Sequence, residues 1–556
     1  MAINPNRLTI ENFKPGLVLN ENPASMPPGA LTEAKNVYIR DGKVQTRGAF
    51  KYDSSNFPVN LQSNTEDQIL GFYHNRDFYI GVDHFWAFYH TDTTNIKMAK
   101  KNSSAWDVPL DVGVSVNASY DYWVNWAVAM EDTANDGTID ARYLLINVAT
   151  TDPRDISNGA TVKRLTEHAS SPSIATVTNN LKCKRILNFN GQTLYLGIDD
   201  SLKVKWSHQY DHADLSAGTV GYTWLADTGG AIMNGAIMKG SVVCYKEDSI
   251  VLGTHQAADP YIRWETIFGD VGLLGTRLLA VLGDKHFFVG TNNIYMYTGG
   301  SGLTPIGDKI WTSFLSDLKE GGASATQLYK NRAFASVHRD QRHVLFWIPT
   351  TEAWPDKAYV LDTSSGGWTT FEPPRNGSTQ AVFTGWGEYN HDSVVKSAEW
   401  IPVYGSMTAF GANVQPLVYD YDTYTDGTIT ADTSAIAISS HITTQDVSPQ
   451  LREDTCWVRA SFELKGKGGT DDVATTSYST DAGVTFSTPV DTHSITNAQS
   501  TVHTTDDNVT AYKIRYKVAC ATAGDGFELN RLEIDPEMET EKQSYPYRGS
   551  GRGDLL

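Results

Sequence analysis

One pattern occurs four times in this chain: an apolar run, a polar turn, a second apolar run, another polar turn and a third apolar run. The copies are RILNFNGQTLYLGIDDSLKVKW (185–206), AIMKGSVVCYKEDSIVLGT (236–254), AVLGDKHFFVGTNNIYMYT (280–298) and QLYKNRAFASVHRDQRHVLFW (327–347). Their first turns fall at Asn190-Gly191, Lys239-Gly240, Gly283-Asp284 and Lys330-Asn331, and their second at Asp199-Asp200, Glu247-Asp248, Asn292-Asn293 and Arg339-Asp340. Asn, Asp and Gly tolerate the positive φ of tight hairpin turns. The flanking Val, Ile, Tyr, Phe and Trp suit a pleated, half-buried surface. A recurrence of roughly 45–50 residues is the spacing of β-propeller blades. The fold class expected is all-β: a β-propeller followed by a C-terminal β-sandwich, with an extended N-terminal arm.

The rest of the chain sorts around these copies. Residues 1–60 are rich in Asn, Pro and Gly and read as an extended arm running over another surface, with one hairpin at Arg40-Asp41-Gly42. Residues 61–425 hold the propeller, with degenerate copies at 69–91 and 122–148, further strands at 357–371 and 417–423, and apparent insertions at 91–118 and 149–180; six or seven blades are expected. One amphipathic helix is expected over 307–320, with Asp308 at its start. Short alternating strands between 426 and 536 predict the β-sandwich. Residues 537–556 read as a flexible tail, and Arg552-Gly553-Asp554 within it as a chance tripeptide.

At 556 residues the chain is too long for a single core. Lys+Arg 45 against Asp+Glu 64 give a formal charge of −19, which argues against a surface that grips nucleic acid but is compatible with DNA sliding past. The four cysteines, Cys183, Cys244, Cys456 and Cys520, form no Cys-x-x-Cys unit and read as reduced, buried thiols. The N-terminus lacks a secretory signal, and no run of about 20 apolar residues predicts a membrane span, so folding in the compartment of synthesis is expected.

Ser479, Asp481, Gly483 and Phe486 match the Asp-box, Ser-x-Asp-x-Gly-x-x-aromatic. The pattern describes a hairpin turn in which the Asp accepts backbone N–H bonds, the Gly relieves φ and the aromatic ring anchors the turn. Sialidase propellers carry several such boxes; a single one outside the repeats is expected to be structural. The Asp420, Asp422 and Asp426 run lacks the Gly and Glu of an EF-hand and reads as a linker turn. His338 and His343 flank a turn without a third metal ligand and read as exposed. There is no Walker loop, no His-Glu-x-x-His and no Gly-x-Ser-x-Gly elbow. These motifs assign no catalytic, cofactor-binding or metal-binding residue, although the carboxylate pair of a glycosidase cannot be found by sequence spacing alone.

The arrangement resembles the tail hub or nozzle proteins of short-tailed bacteriophages, including the packaged-DNA stabilisation proteins of phages of enteric bacteria. The segments that carry the resemblance are LTEAKNVYIRDGKVQTRGAF (31–50), MKGSVVCYKEDSIVLGT (238–254), the stretch from Gly269 to Ile310, and the terminal sandwich with its Ser479–Phe486 turn. The resemblance implies a non-enzymatic virion structural protein without a cofactor, made in the host cytoplasm. It would form a homohexameric ring below the portal and adaptor rings, carry tail fibres or spikes, help to retain the viral DNA and let it pass during genome ejection. Two alternatives stand beside it. One is a carbohydrate-active propeller enzyme of sialidase or depolymerase type. The other is a glycan- or receptor-binding propeller using exposed rings such as Trp123, Trp126 or Trp206.

Overall fold

The computed structural model describes residues 7–537 apart from 53–67, 78–81, 91–94, 102–105, 116, 118, 133–137, 167–171, 178–179, 217, 320, 322–327, 377–378, 391–399, 407–415, 422–424, 427–435, 448–454, 469–470 and 488–490. The tail expected beyond Glu537, with Arg552, Gly553 and Asp554, lies outside the described residues.

Among the described residues, seven four-stranded antiparallel units follow one another along the chain. Blade 1 is Gln68–Asp77, Val82–His90, Asn95–Lys101 and Leu110–Ser115. Blade 2 is Tyr122–Glu131, Ala141–Thr150, Lys163–Thr166 and Ser173–Thr176. Blade 3 is Arg185–Phe189, Gln192–Leu196, Lys203–Trp206 and Gly221–Trp224. Blade 4 is Ile232–Met238, Ser241–Lys246, Ile250–His255 and Ile262–Phe268. Blade 5 is Leu279–Leu282, Lys285–Val289, Ile294–Tyr297 and Leu303–Pro305. Blade 6 is Phe334–His338, His343–Ile348, Lys357–Asp362 and Trp368–Phe371. Blade 7 takes Phe383–Asn390, Trp400–Ser406 and Pro416–Asp420 from the end of the series and its fourth strand, Ala49–Tyr52, from the N-terminal segment. The protein is a β-propeller whose ring is closed by a strand from the opposite end of the sequence. The segments 91–118 and 149–180, expected as insertions, contain the outer strands of blades 1 and 2, whose short, polar runs hide the alternation.

Local turn chemistry explains the blades. Asn190 and Gly191 (φ 51° and 77°) join the first two strands of blade 3, and Lys239 and Gly240 (φ 46° and 76°) do so in blade 4. Two successive positive φ values match the right-handed twist of the flanking strands. Gly283-Asp284 and Asn292-Asn293 likewise fall between paired strands of blade 5. The fourth copy is out of phase. Lys330-Asn331, expected as a turn, lies in the short helix Tyr329–Arg332, and Arg339-Asp340 lies in the first hairpin of blade 6. Arg332 is drawn inward there by a buried ion pair with Asp121, Nε to Oδ2 at 2.8 Å.

Apart from two small separate sheets, in which Arg375–Asn376 pairs with Thr379–Gln380 and Thr425–Asp426 with Ile436–Ala437, the remaining strands form two sheets packed as a β-sandwich. One contains Val37–Arg40, Lys43–Thr46, Phe527–Glu537, Thr455–Gly466 and Thr501–Ala511, with Leu8–Ile10 on the Phe527–Glu537 strand. The other contains Ala30–Lys35, Ser440–Thr444, Arg515–Cys520, Asp472–Ser479 and Asp491–Ile495, and a bridge between Lys35 and Thr370 joins it to blade 6. Ile10, Phe13, Leu17, Val37 and Val44 share one buried cluster with Trp457, Phe462, Val518, Phe527 and Leu532. The N-terminal segment is extended, and the surface that its described residues cover is their own chain. Phe13, Leu17 and Val18 are buried there without a neighbouring subunit.

Several local expectations are corrected. His338 and His343 are buried, because the blade 6 hairpin is covered by Tyr404, Tyr419 and Tyr38; His338 Nε2 and Tyr404 Oη are 2.8 Å apart. Burial holds His338 well below the usual imidazole range and takes His343 down to about 4. The expected helix spans Trp311–Asp317, but Asp308 precedes its first turn and accepts a bond from Asn293 Nδ2 at 2.6 Å. Asp426 does not sit in a bare linker turn: it is buried against Arg47. Cys183, Cys244 and Cys520 are buried free thiols, while the Cys456 side chain lies outside the described residues. Among the described residues no helix is long and apolar enough to cross a membrane.

Candidate functional site

The first strand of every blade faces the propeller axis, and all seven contribute to one cavity of ≈ 430 Å³. Blade 7 shows how the sequence shapes it. In Phe383–Asn390 the residues alternate, with Gly385 and Gly387 turned towards blade 1. A Cβ on Gly385 would meet Leu70 O at 2.5 Å, and one on Gly387 would meet Phe72 Cβ at 2.6 Å. Only glycine allows this approach. The intervening residues, Trp386 and Glu388, project to the other face of the strand, and both line the cavity.

Glu388 is the carboxylate among the lining residues described, and its side chain is 5% exposed. Arg339, from the turn of blade 6, donates Nε–H to Glu388 Oε2 at 2.6 Å and lays its guanidinium 5.1 Å from the Trp400 ring centre. Burial pushes the Glu388 carboxyl up to about 7, against the opposing pull of Arg339 and with a further upward push from Asp340. Asp340 Oδ2 accepts the Trp400 backbone N–H at 2.9 Å, which ties the second carboxylate to the same corner.

Two more arginines enter from blades 3 and 5. Arg185 donates to Gly235 O at 3.3 Å, and Arg277 donates to Thr384 O at 2.6 Å while stacking on Phe334. Among the described residues neither has a carboxylate within ion-pair distance, and burial lowers both to about 10. The axis is therefore rich in cationic donors in a chain whose formal charge is −19. Trp123, Trp126, Trp386 and Trp400 supply its apolar walls, and the buried Trp123 Nε1–H has no hydrogen-bond partner among the described residues.

The residues singled out from sequence are elsewhere. Ser479, Asp481, Gly483 and Phe486 lie in the sandwich, between the strands Asp472–Ser479 and Asp491–Ile495. Asp481 accepts from Thr485 N at 2.9 Å, Thr485 Oγ1 at 2.6 Å and Ser479 Oγ at 2.7 Å, and Gly483 takes φ 85°. Phe486 is half-buried beneath Lys517 rather than set in the core. Trp206 is a core residue of blade 3, whereas Trp123 and Trp126 do reach the axial cavity. Glu388, Arg339, Arg185 and Arg277 carry no motif. Their convergence depends on ring closure, and the only local trace is the Gly-Trp-Gly-Glu alternation at 385–388.

No protein-family model matches the chain, and no curated protein matches it. Solved structures do. The exo-β-1,3-galactanase of Phanerochaete chrysosporium is 10% identical, over 88% of this chain and 100% of that one, with a TM-score of 0.26. The Trypanosoma rangeli sialidase is 10% identical, over 96% of each chain, with a TM-score of 0.29. The WD40 domain of Neurospora crassa Pan2 is 8% identical, over 64% of this chain and 97% of that one, with a TM-score of 0.31. These likenesses concern the fold alone. The named neighbours are glycosidases and a WD40 domain, and none is a phage tail component. The expectation of a non-enzymatic tail ring is not upheld, since none of these neighbours is a tail component, and likenesses at these TM-scores assign no activity to this chain.

Proposed function

We propose that the protein is a carbohydrate-active propeller enzyme that admits an acidic saccharide to the axial cavity and cleaves a glycosidic bond there. The observation that supports this reading is the meeting, in one cavity, of a buried carboxyl, four tryptophans and two arginines with no carboxylate within ion-pair distance among the described residues. Aromatic walls with a few convergent polar groups suit a small organic ligand. The planar guanidinium fork of Arg185 or Arg277 matches a sugar carboxylate. Glu388 keeps its proton into the neutral range and serves as general acid to the leaving oxygen. Asp340 lies outside the cavity lining but acts on the Glu388 charge and is tied to Trp400, and it is the candidate base for the water that replaces the leaving group.

The test is release of new reducing ends from uronate- and sialate-containing polysaccharides, with neutral glucans as controls. Glu388→Gln is expected to lower turnover at least about 100-fold while leaving ligand binding in place. Arg185→Met is expected to erase the preference for acidic over neutral substrates. Absence of turnover on every acidic polymer tried, with no ligand retained by the wild type, would overturn the reading.

A further inference from the structure

A second constellation joins blades 2 and 3 outside the axial cavity. Glu131 ends the innermost strand of blade 2, and Asp211 and His212 lie in the loop between the third and fourth strands of blade 3. One donor atom from each of the three lies within 4.8 Å of the others. The backbone fixes this approach, since Asp132 N donates to Tyr210 O at 3.0 Å and the His212 carbonyl accepts from Tyr195 Oη at 2.7 Å.

The imidazole of His212 is the informative group. The residue is 1% exposed, yet neither Nδ1 nor Nε2 has a hydrogen-bond partner among the described residues. A neutral imidazole carries one donor and one acceptor, and leaving both unmade in a buried place is costly. Asp211 Oδ1 accepts from Ala213 N at 2.9 Å and Asp214 N at 3.1 Å, which orients the carboxylate and leaves Oδ2 over. The Tyr143 ring centre lies 5.3 Å from that of His212, which places an aromatic wall beside the imidazole. A carboxylate held by outer donors, as Asp211 is, is a feature of metal sites. Arg164, 4.9 Å from the Tyr143 ring centre, is the cation facing the group, and two carboxylates outnumber it.

We propose that Glu131, Asp211 and His212 bind one first-row divalent cation of the Zn²⁺ or Mn²⁺ type and so clamp blade 2 to blade 3. One imidazole with two carboxylates selects this class over Mg²⁺ and Ca²⁺, which prefer all-oxygen shells. Three protein ligands leave a coordination position for water. The clamp is independent of the chemistry assigned to the axial cavity.

The experiment uses the full chain after EDTA treatment and buffer exchange, titrated with ZnCl₂ and separately with MnCl₂ in a calorimeter, with the melting temperature followed in parallel. One saturable equivalent is expected, with a rise in melting temperature on binding. Affinity should fall at least about tenfold in both Glu131→Gln and His212→Asn. Near-UV circular dichroism checks that each variant folds; if His212→Asn does not, the polar and nearly isosteric Glu131→Gln decides. The proposal is overturned by no saturable equivalent in the wild type, by unchanged affinity in the folded variants, or by tighter binding of CaCl₂ or MgCl₂.

Discussion

Arg47 and Asp426 are joined by a bidentate ion pair across 379 positions of sequence, Nη2 to Oδ2 at 2.7 Å and Nη1 to Oδ1 at 2.9 Å. Their side chains are 1% and 2% exposed. Arg47 stands just before the strand that completes blade 7, and Asp426 also accepts the Phe50 N–H of that strand at 2.8 Å. The pair thus fastens the ring at its closure. Breaking a buried pair leaves one charge without a partner, so Asp426→Ala should lower unfolding stability by about 3–5 kcal/mol. Urea denaturation measures it, with Arg47→Met combined with Asp426→Leu expected to recover most of the loss. An Asp426→Ala protein as stable as the wild type would show that closure does not depend on the pair.

Glu388 gives the cavity a pH signature. Its folded-state carboxyl is raised from 4.5 to about 7, so the folded protein holds a proton that the unfolded chain has released over that interval. The associated stability is complete below about 4.5 and is lost as pH rises from there to about 7, by at most roughly 3–4 kcal/mol. Glu388→Gln should flatten this part of the stability profile relative to the wild type. Under the proposed function, the rate of glycosidic cleavage should hold up to near neutrality and fall as pH rises through about 7, where the folded-state general acid loses its proton. Identical wild-type and variant stability profiles between pH 4.5 and 8 would place the Glu388 carboxyl in the ordinary range.

Gly387→Ala tests how blade 7 seats on blade 1. The added methyl meets Phe72 Cβ at 2.6 Å and Phe72 O at 2.8 Å, so one strand must move. A cost of about 1–3 kcal/mol is expected, with altered quenching of Trp386 fluorescence by a small polar quencher. Unchanged stability and quenching would mean that the interface is looser than its geometry.

Asp481 is fully exposed, and its carboxylate is held well below the usual range, first by the Thr485 hydroxyl, then by the Thr485 N–H and Ser479. Its contribution is present above its ordinary pKa and is lost as pH falls through its depressed one. Asp481→Ala should speed amide exchange at Gly483 and Thr485, the two N–H groups tied into this turn, without changing ligand binding in the axial cavity. Hydrogen-exchange mass spectrometry of the hairpin reads it; exchange rates equal to the wild type would mean that the side-chain bonds are dispensable.

The sequence by itself determined the all-β class, the propeller and its hairpins, because turns such as Asn190-Gly191 and the alternation beside them are contacts between near neighbours in the chain. It did not phase blade 6, where Lys330-Asn331 has turn-like composition but is held in a helical turn beside the Arg332–Asp121 pair, between residues 211 positions apart. Nor did it mark Ala49–Tyr52 as the last strand of blade 7, since a strand's partner is fixed by ring closure and not by its own period. The axial group of Glu388, Arg339, Arg185 and Arg277, and the Glu131–Asp211–His212 cluster, were decided only by the tertiary structure. Each is assembled from different blades, and periodicity records which face of a strand a residue occupies but not which distant strand that face will meet.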